Sequence, residues 1–321
     1  MNARAVFDKA AMSPVIPAAA SPNLSRIIDP APLVRTGRNW TKWLGPLVSV
    51  LILVVVAWQL RRMDIRGIAA LMPMNGLFWA AFIAYYFAGP ISEWIIFRRL
   101  WSLPVDGFPA LLRKLVSNEI LLGYLGEVYF YAWARRHTGI VTAPFGAVKD
   151  VAVLSALMGN LLTLVMIVIS VPLLGLLHLG LNSSAVIASL AFLLALSAAT
   201  FVMRKRLFTL PLRDLWFVAG LHTGRIVVMI FLAAVLWNIL LPAVAVTWWL
   251  LLATVRQLLS RLPFLPNKDV AFAGVAAYLV GPNAPIAAAI TLVSTLIVAA
   301  HLLVGGFVGL SELIGEDTRN D

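Results

Sequence analysis

The chain contains no cysteine, so disulfide frameworks, thiolate metal sites and cysteine nucleophiles are all excluded. Acidic residues are scarce: 14 Asp and Glu against 25 Lys and Arg in 321 residues. Charged residues of both signs make up only 12%. So little charge cannot solvate the surface of a chain this long, and it argues against a soluble domain. Familiar reaction signatures are missing as well. There is no Walker A loop, no HExxH zinc helix, no GxSxG elbow and no pair of aspartate-rich motifs for a magnesium diphosphate. No cofactor, metal site or catalytic residue is therefore expected.

What is present is apolar. Hydrophobic residues make up 61% and the mean hydropathy is +0.93. Charge is absent between Lys42 and Arg61, Arg66 and Glu93, Asp150 and Arg204, Arg225 and Arg256, and Asp269 and Glu312. A bilayer crossing needs only about 20 such residues. The expected fold is an all-α polytopic membrane protein with seven to nine membrane segments. Spans are expected near 44–60, 75–97, 146–172, 184–203, 214–241, 243–261 and 285–311. Two further apolar regions, 112–134 and 263–281, are interrupted by charge, Gly or Pro and read as broken or re-entrant segments.

Residues 1–40 are rich in Ala, Pro and Ser, lack a sustained hydrophobic period and read as a disordered cytosolic tail. No apolar stretch precedes Trp43, so no cleaved signal peptide is expected. The membrane domain then runs over 41–312, with a short polar tail over 313–321. The net charge of +11 fits cytosolic loops enriched in Lys and Arg rather than nucleic-acid binding. On that rule the basic clusters at 97–101, 134–139 and 203–213 share the cytosolic side. "RRMDIR" at 61–66 falls outside in this scheme.

An internal repeat appears at an offset of 142. "EVYFYAWARRHTG" (127–139) falls on "DVAFAGVAAYLVG" (269–281), matching Val128 with Val270, Phe130 with Phe272, Ala134 with Ala276 and Gly139 with Gly281. Glu127 coincides with Asp269, and Lys114 with Arg256. Paired broken segments in two halves point to a substrate site between inverted repeats.

A charge at membrane depth costs roughly 2.5–3.5 kcal/mol on insertion scales, so each one asks for a partner or a path. Glu127 either lines a translocation cavity or holds a structural pair with Arg135 or Arg136. Asn118 caps the broken helix or bonds across helices. Asp269 either caps the helix it opens or, with Lys268 and the free N–H groups there, meets a lipid phosphate. Arg225 sits ten residues into its span, where an anion partner or a cavity position would explain it. Arg256 and Arg261 flank the second broken segment and reach a headgroup or snorkel to the interface. Glu93 is expected to pair with Arg98 or Arg99, Lys149 with Asp150, and His301 to bond between helices. Glu119 and His222 read as structural, and His178 as an exterior loop residue.

Asn118, Gly126 and Glu127, followed by Arg135 and Arg136, together with "LPFLPNKD", resemble the motifs of the lysylphosphatidylglycerol synthase transmembrane family, also called flippase-like domain proteins. Leu122, Phe130, Asn267 and Lys268 depart from that family's pattern. The resemblance implies two re-entrant elements in an inverted repeat. It also implies movement of a lipid or lipid-linked anionic molecule between the leaflets of a bacterial cytoplasmic membrane. Membrane lipids, recognised by an anionic headgroup or a lipid-linked glycan, and other membrane proteins would be the partners. No synthase domain follows the membrane domain, so aminoacyl-lipid synthesis is not expected. A membrane enzyme acting on a lipid-linked substrate and a non-catalytic scaffold remain alternatives. The substrate-path candidates are Asn118, Glu127, Arg135, Arg136, Arg225, Arg256, Lys268 and Asp269.

Overall fold

The computed structural model describes residues 72–137, 144–170, 207–261, 267–280 and 284–320, with isolated positions near 47–54 and 172–207. The N-terminal tail, the expected spans at 44–60 and 184–203, "RRMDIR" and "LPFLP" lie outside the described residues. Among the described residues the structure is helical, with no strand.

Eight helices are described. They are α1 (Gly76–Trp101), α2 (Phe108–Val116), α3 (Leu125–His137), α4 (Pro144–Ser170), α5 (Leu212–Leu240), α6 (Val246–Leu259), α7 (Lys268–Val280) and α8 (Ala284–Asn320). Four stretches are long and apolar enough to cross a membrane: Gly76–Trp101, Phe145–Ser170, Leu212–Leu240 and Pro285–Ser311. Each begins and ends within four residues of the expected span, and Pro285–Ser311 coincides with it at both ends. Large apolar residues such as Ile83, Phe231, Leu303 and Phe307 face outward and are exposed. An outer surface of this kind suits hydrocarbon rather than water.

Local chemistry sets the helix ends. Asn75 caps α1 by accepting the Leu77 N–H at 2.9 Å. Arg98 and Arg99 occupy its last turn, where the helix dipole favours cations. Ser102 then takes a left-handed φ of 53° and turns the chain. Helix α2 starts with Pro109, pre-set for a first turn, and widens into a π-helical stretch at Ser117–Leu121. Leu122 is fully extended and Tyr124 is left-handed (φ 71°), which ends that limb and reverses the chain into α3. Region 112–134 is thus a broken segment, as its charges and glycines predict.

The expected span at 243–261 is instead the 14-residue α6, about 21 Å long and short of a roughly 30 Å hydrocarbon core. Pro242 bounds it on one side. On the other, Pro263 lacks the N–H that would continue the ladder. It packs against α7, so 246–280 forms a second helical hairpin, equivalent to α2–α3.

Each half runs long, short, short, long, with helices of 26, 9, 13 and 27 residues and then of 29, 14, 13 and 37. Packing recurs too: α1 on α2 and α5 on α6, α2 on α3 and α6 on α7, α3 on α4 and α7 on α8. Across the halves, α2 packs on α8 and α6 on α4. The equivalent helices α1 and α5 pack on each other and run antiparallel. Arg99 near the end of α1 meets Asp214 at the start of α5 at 3.2 Å, while Phe78 and Phe82 share a core with Ala233 and Trp237.

Two apolar cores result. One joins Phe97, Leu111, Phe130, Val151 and Val218 around the first hairpin. The other joins Phe82, Trp237, Trp249, Phe272 and Ile290 around the second. Phe130 and Phe272, equivalent at the 142 offset, anchor the hairpins to Phe97 at 4.8 Å and to Trp237 at 5.7 Å. The hairpins approach from opposite ends, and their tips meet where the Asn267 N–H donates to the Glu119 carbonyl at 2.8 Å.

Candidate functional site

Between the two cores lies a layer of charge. In the first hairpin, Lys114 on α2 is 3% exposed and donates to Glu93 on α1 at 2.7 Å. Its Nζ is also 3.5 Å from Glu127 on α3. Asn118 accepts the Gly126 N–H at 2.7 Å, capping α3 from the opposite limb. Gly126 is required there, because a Cβ would lie 2.7 Å from the Asn118 Oδ1 and would strike the Lys114 carbonyl.

The second hairpin repeats this plan with different side chains. Arg256 on α6 grips one oxygen of Asp269 on α7, through Nε at 2.9 Å and Nη2 at 2.6 Å. Its guanidinium lies 5.3 Å from the ring centre of buried Tyr85 on α1. Lys114 and Glu127 are separated by 13 positions, as are Arg256 and Asp269. Each half therefore carries a base on its first limb and an acid on its second, bridged across the hairpin.

Arg225, near the middle of α5, donates from Nη2 to the Ser155 Oγ on α4 at 2.9 Å. Its Nε is buried with no acceptor among the described residues. Lys268 lies one residue before Asp269, and both charges act, with Arg256, on the Glu119 carboxylate. Glu119 thus lies in this layer beside the second hairpin. Its clue was position: it lies at the end of the first limb, where the 142 offset places Arg261.

Other expectations resolve differently. Arg135 is exposed and reaches only the Tyr131 hydroxyl, at 3.4 Å; the side chain of Arg136 lies outside the described residues. Glu127 pairs with Lys114 instead. Eight helical residues from Glu127 to Arg135 span about 12 Å, too far for contact. Glu93 pairs with Lys114 rather than Arg98 or Arg99, because positions five and six apart do not face each other on a helix. Arg99 turns to Asp214.

Lys149 and Asp150 do pair, at 3.2 Å. Asp150 additionally accepts from the Thr209 N–H and hydroxyl and from the Leu210 N–H, at 2.7–2.9 Å. His301 bonds the Tyr86 hydroxyl at 3.1 Å, joining α8 to α1. His222 is buried on α5. Among the described residues no group of three or more His, Cys, Asp or Glu is placed to hold a metal ion.

Together these features define a helical protein with four membrane-length apolar helices and a layer of paired charges between its two apolar cores. No family model, curated protein or solved structure matches the chain.

Proposed function

We propose that this chain is a flippase-like transporter of a bacterial cytoplasmic membrane, moving a lipid or lipid-linked anionic molecule between leaflets. In this reading each hairpin is a re-entrant segment, dipping into the bilayer and returning to its own side. The two halves form an inverted repeat related by an axis in the membrane plane. The supporting observation is the pair of bridges, Lys114–Glu127 and Arg256–Asp269, at equivalent positions on hairpins that enter from opposite ends. Polar groups at this depth are costly unless they meet each other or a substrate. Exchange of partners between such pairs and an anionic headgroup gives the headgroup a path past the apolar cores. Asn118, Glu127, Arg225, Arg256, Lys268 and Asp269 lie along that path; Arg135 would serve only at its entrance.

Reconstitution into liposomes carrying labelled lipid tests the reading. Wild-type protein should equilibrate the label between leaflets, and Glu127→Gln should slow it. Equal exchange by both proteins would count against the mechanism.

The opposing reading, a membrane scaffold, draws on the same ion pairs as purely structural clamps. It is favoured if replacing both members of each pair by apolar residues leaves cellular function intact.

A further inference from the structure

We infer that Arg225 and Arg261 form a phosphodiester-binding site on the Ser155–Gly159 face of α4, midway through the protein. This rests on the transport reading and names its substrate class.

Ser155 and Gly159 are four residues apart on α4, so they share a face about 6 Å apart. Arg225 is held at the first and Arg261 at the second. A Cβ at Gly159 would occupy the space of the Arg261 guanidinium, so glycine is what lets this side chain lie flat on the helix. The protein does little to satisfy either guanidinium. Arg225 donates to one hydroxyl and leaves Nε buried without an acceptor. Arg261 donates from Nε and Nη2 to the hydroxyl of its own neighbour, Ser260, at 3.0 and 2.7 Å. Neither belongs to an ion pair among the described residues.

The two like charges act on each other, and Arg256 adds a third to Arg261. At this depth such repulsion persists unless an anion lies between the cations. The acids nearby are already engaged. Glu93 and Glu127 both turn to Lys114, although the field of Glu93 also reaches Arg225. Asp269 belongs to Arg256, and Glu119 faces Lys268, Asp269 and Arg256. Among the described residues no acid is thus left to pair with Arg225 or Arg261.

A phosphodiester carries one negative charge and would relieve the repulsion between the two cations. Its two non-bridging oxygens, each with more than one lone pair, can be held from two sides by two planar guanidinium forks. Lipid headgroups and free phosphate offer the same chemistry, and the test separates them.

Purified full-length protein in a neutral sugar detergent would be titrated with short-chain phosphatidylglycerol, with the matching diacylglycerol, and with inorganic phosphate, following tryptophan fluorescence. Wild type should bind phosphatidylglycerol and ignore diacylglycerol. Arg225→Gln and Arg261→Gln should each weaken binding about tenfold to a hundredfold, the range for one charge-assisted hydrogen bond. Arg261→Lys, which keeps the charge but loses the fork, should fall between. Gly159→Ala should weaken binding by displacing Arg261 without removing it. Arg99→Gln, at the distant pair with Asp214, should bind as wild type.

Unchanged binding in correctly folded Arg225→Gln and Arg261→Gln, or equal binding of diacylglycerol, would overturn the site while leaving transport open. Arginine-dependent binding of inorganic phosphate without binding of the lipid would uphold the site and sink lipid transport.

Discussion

Asp269→Asn and Glu127→Gln change equivalent acids in the two halves, yet they should differ sharply in cost. Arg256 places both its bonds on one oxygen of Asp269, and the two side chains are 20% and 10% exposed. Removing that acid strands a guanidinium whose remaining described neighbours are the Tyr85 ring and the field of Glu119. Breaking a pair this buried should cost about 3 kcal/mol. Glu127 stands farther from its partner, at 3.5 Å, and is 19% exposed. Lys114 also keeps Glu93 at 2.7 Å. Glu127→Gln should therefore cost only about 1 kcal/mol. A gap of about 2 kcal/mol is close to a thirtyfold difference in the folded-to-unfolded ratio. Equilibrium unfolding in mixed detergent and SDS, followed by tryptophan fluorescence, resolves such a gap. The double variant Arg256→Met with Asp269→Leu should regain most of the loss, since removing both charges also removes the cost of burying them. If Glu127→Gln proves as damaging as Asp269→Asn, or the double variant no better than the single one, the charge-pair account is wrong.

Gly126→Ala should force the first hairpin apart, because its methyl would meet the Lys114 carbonyl and the Asn118 side chain. A loss of about 1–3 kcal/mol is expected in the same unfolding assay. Tyr86→Phe removes one interhelical bond, to His301, and should cost about 0.6 kcal/mol, the average for such bonds in membrane proteins. Asp150→Asn weakens the acceptor for three donors at Thr209 and Leu210, so limited proteolysis should cut near residue 209 faster than in wild type.

Much of this molecule can be read along the chain. Four of the expected spans stand within a few residues of their expected ends, because charge-free stretches of this length have few folded alternatives. The offset of 142 pairs Lys114 with Arg256 and Glu127 with Asp269, and the structure places those same residues at matching bridges. His301 bonds between helices and Asn118 caps the helix after the break, each a role expected of it. Hydropathy failed at 243–261. It registers how apolar a stretch is, but a hairpin limb buried against protein is as apolar as a span. Nearest-in-sequence pairing failed for Glu93 and Glu127, since each faces a neighbouring helix rather than the basic residues downstream on its own.

The sequence by itself determined the helical class, the membrane-length segments and the interruption at 112–134. These follow from local quantities: apolar run length, proline and glycine positions, and spacing along one chain. Only the tertiary structure decided which charges meet. Partner choice depends on how the π-helical turn at Ser117–Leu121 and the left-handed residues Tyr124 and Asn267 rotate each limb. It depends equally on α1 and α5 lying antiparallel, which brings the hairpin tips together and sets Arg261 at Gly159, one turn along α4 from Arg225 at Ser155. Interactions between charges fall off over a few ångströms in space, and separation along the chain does not measure that distance.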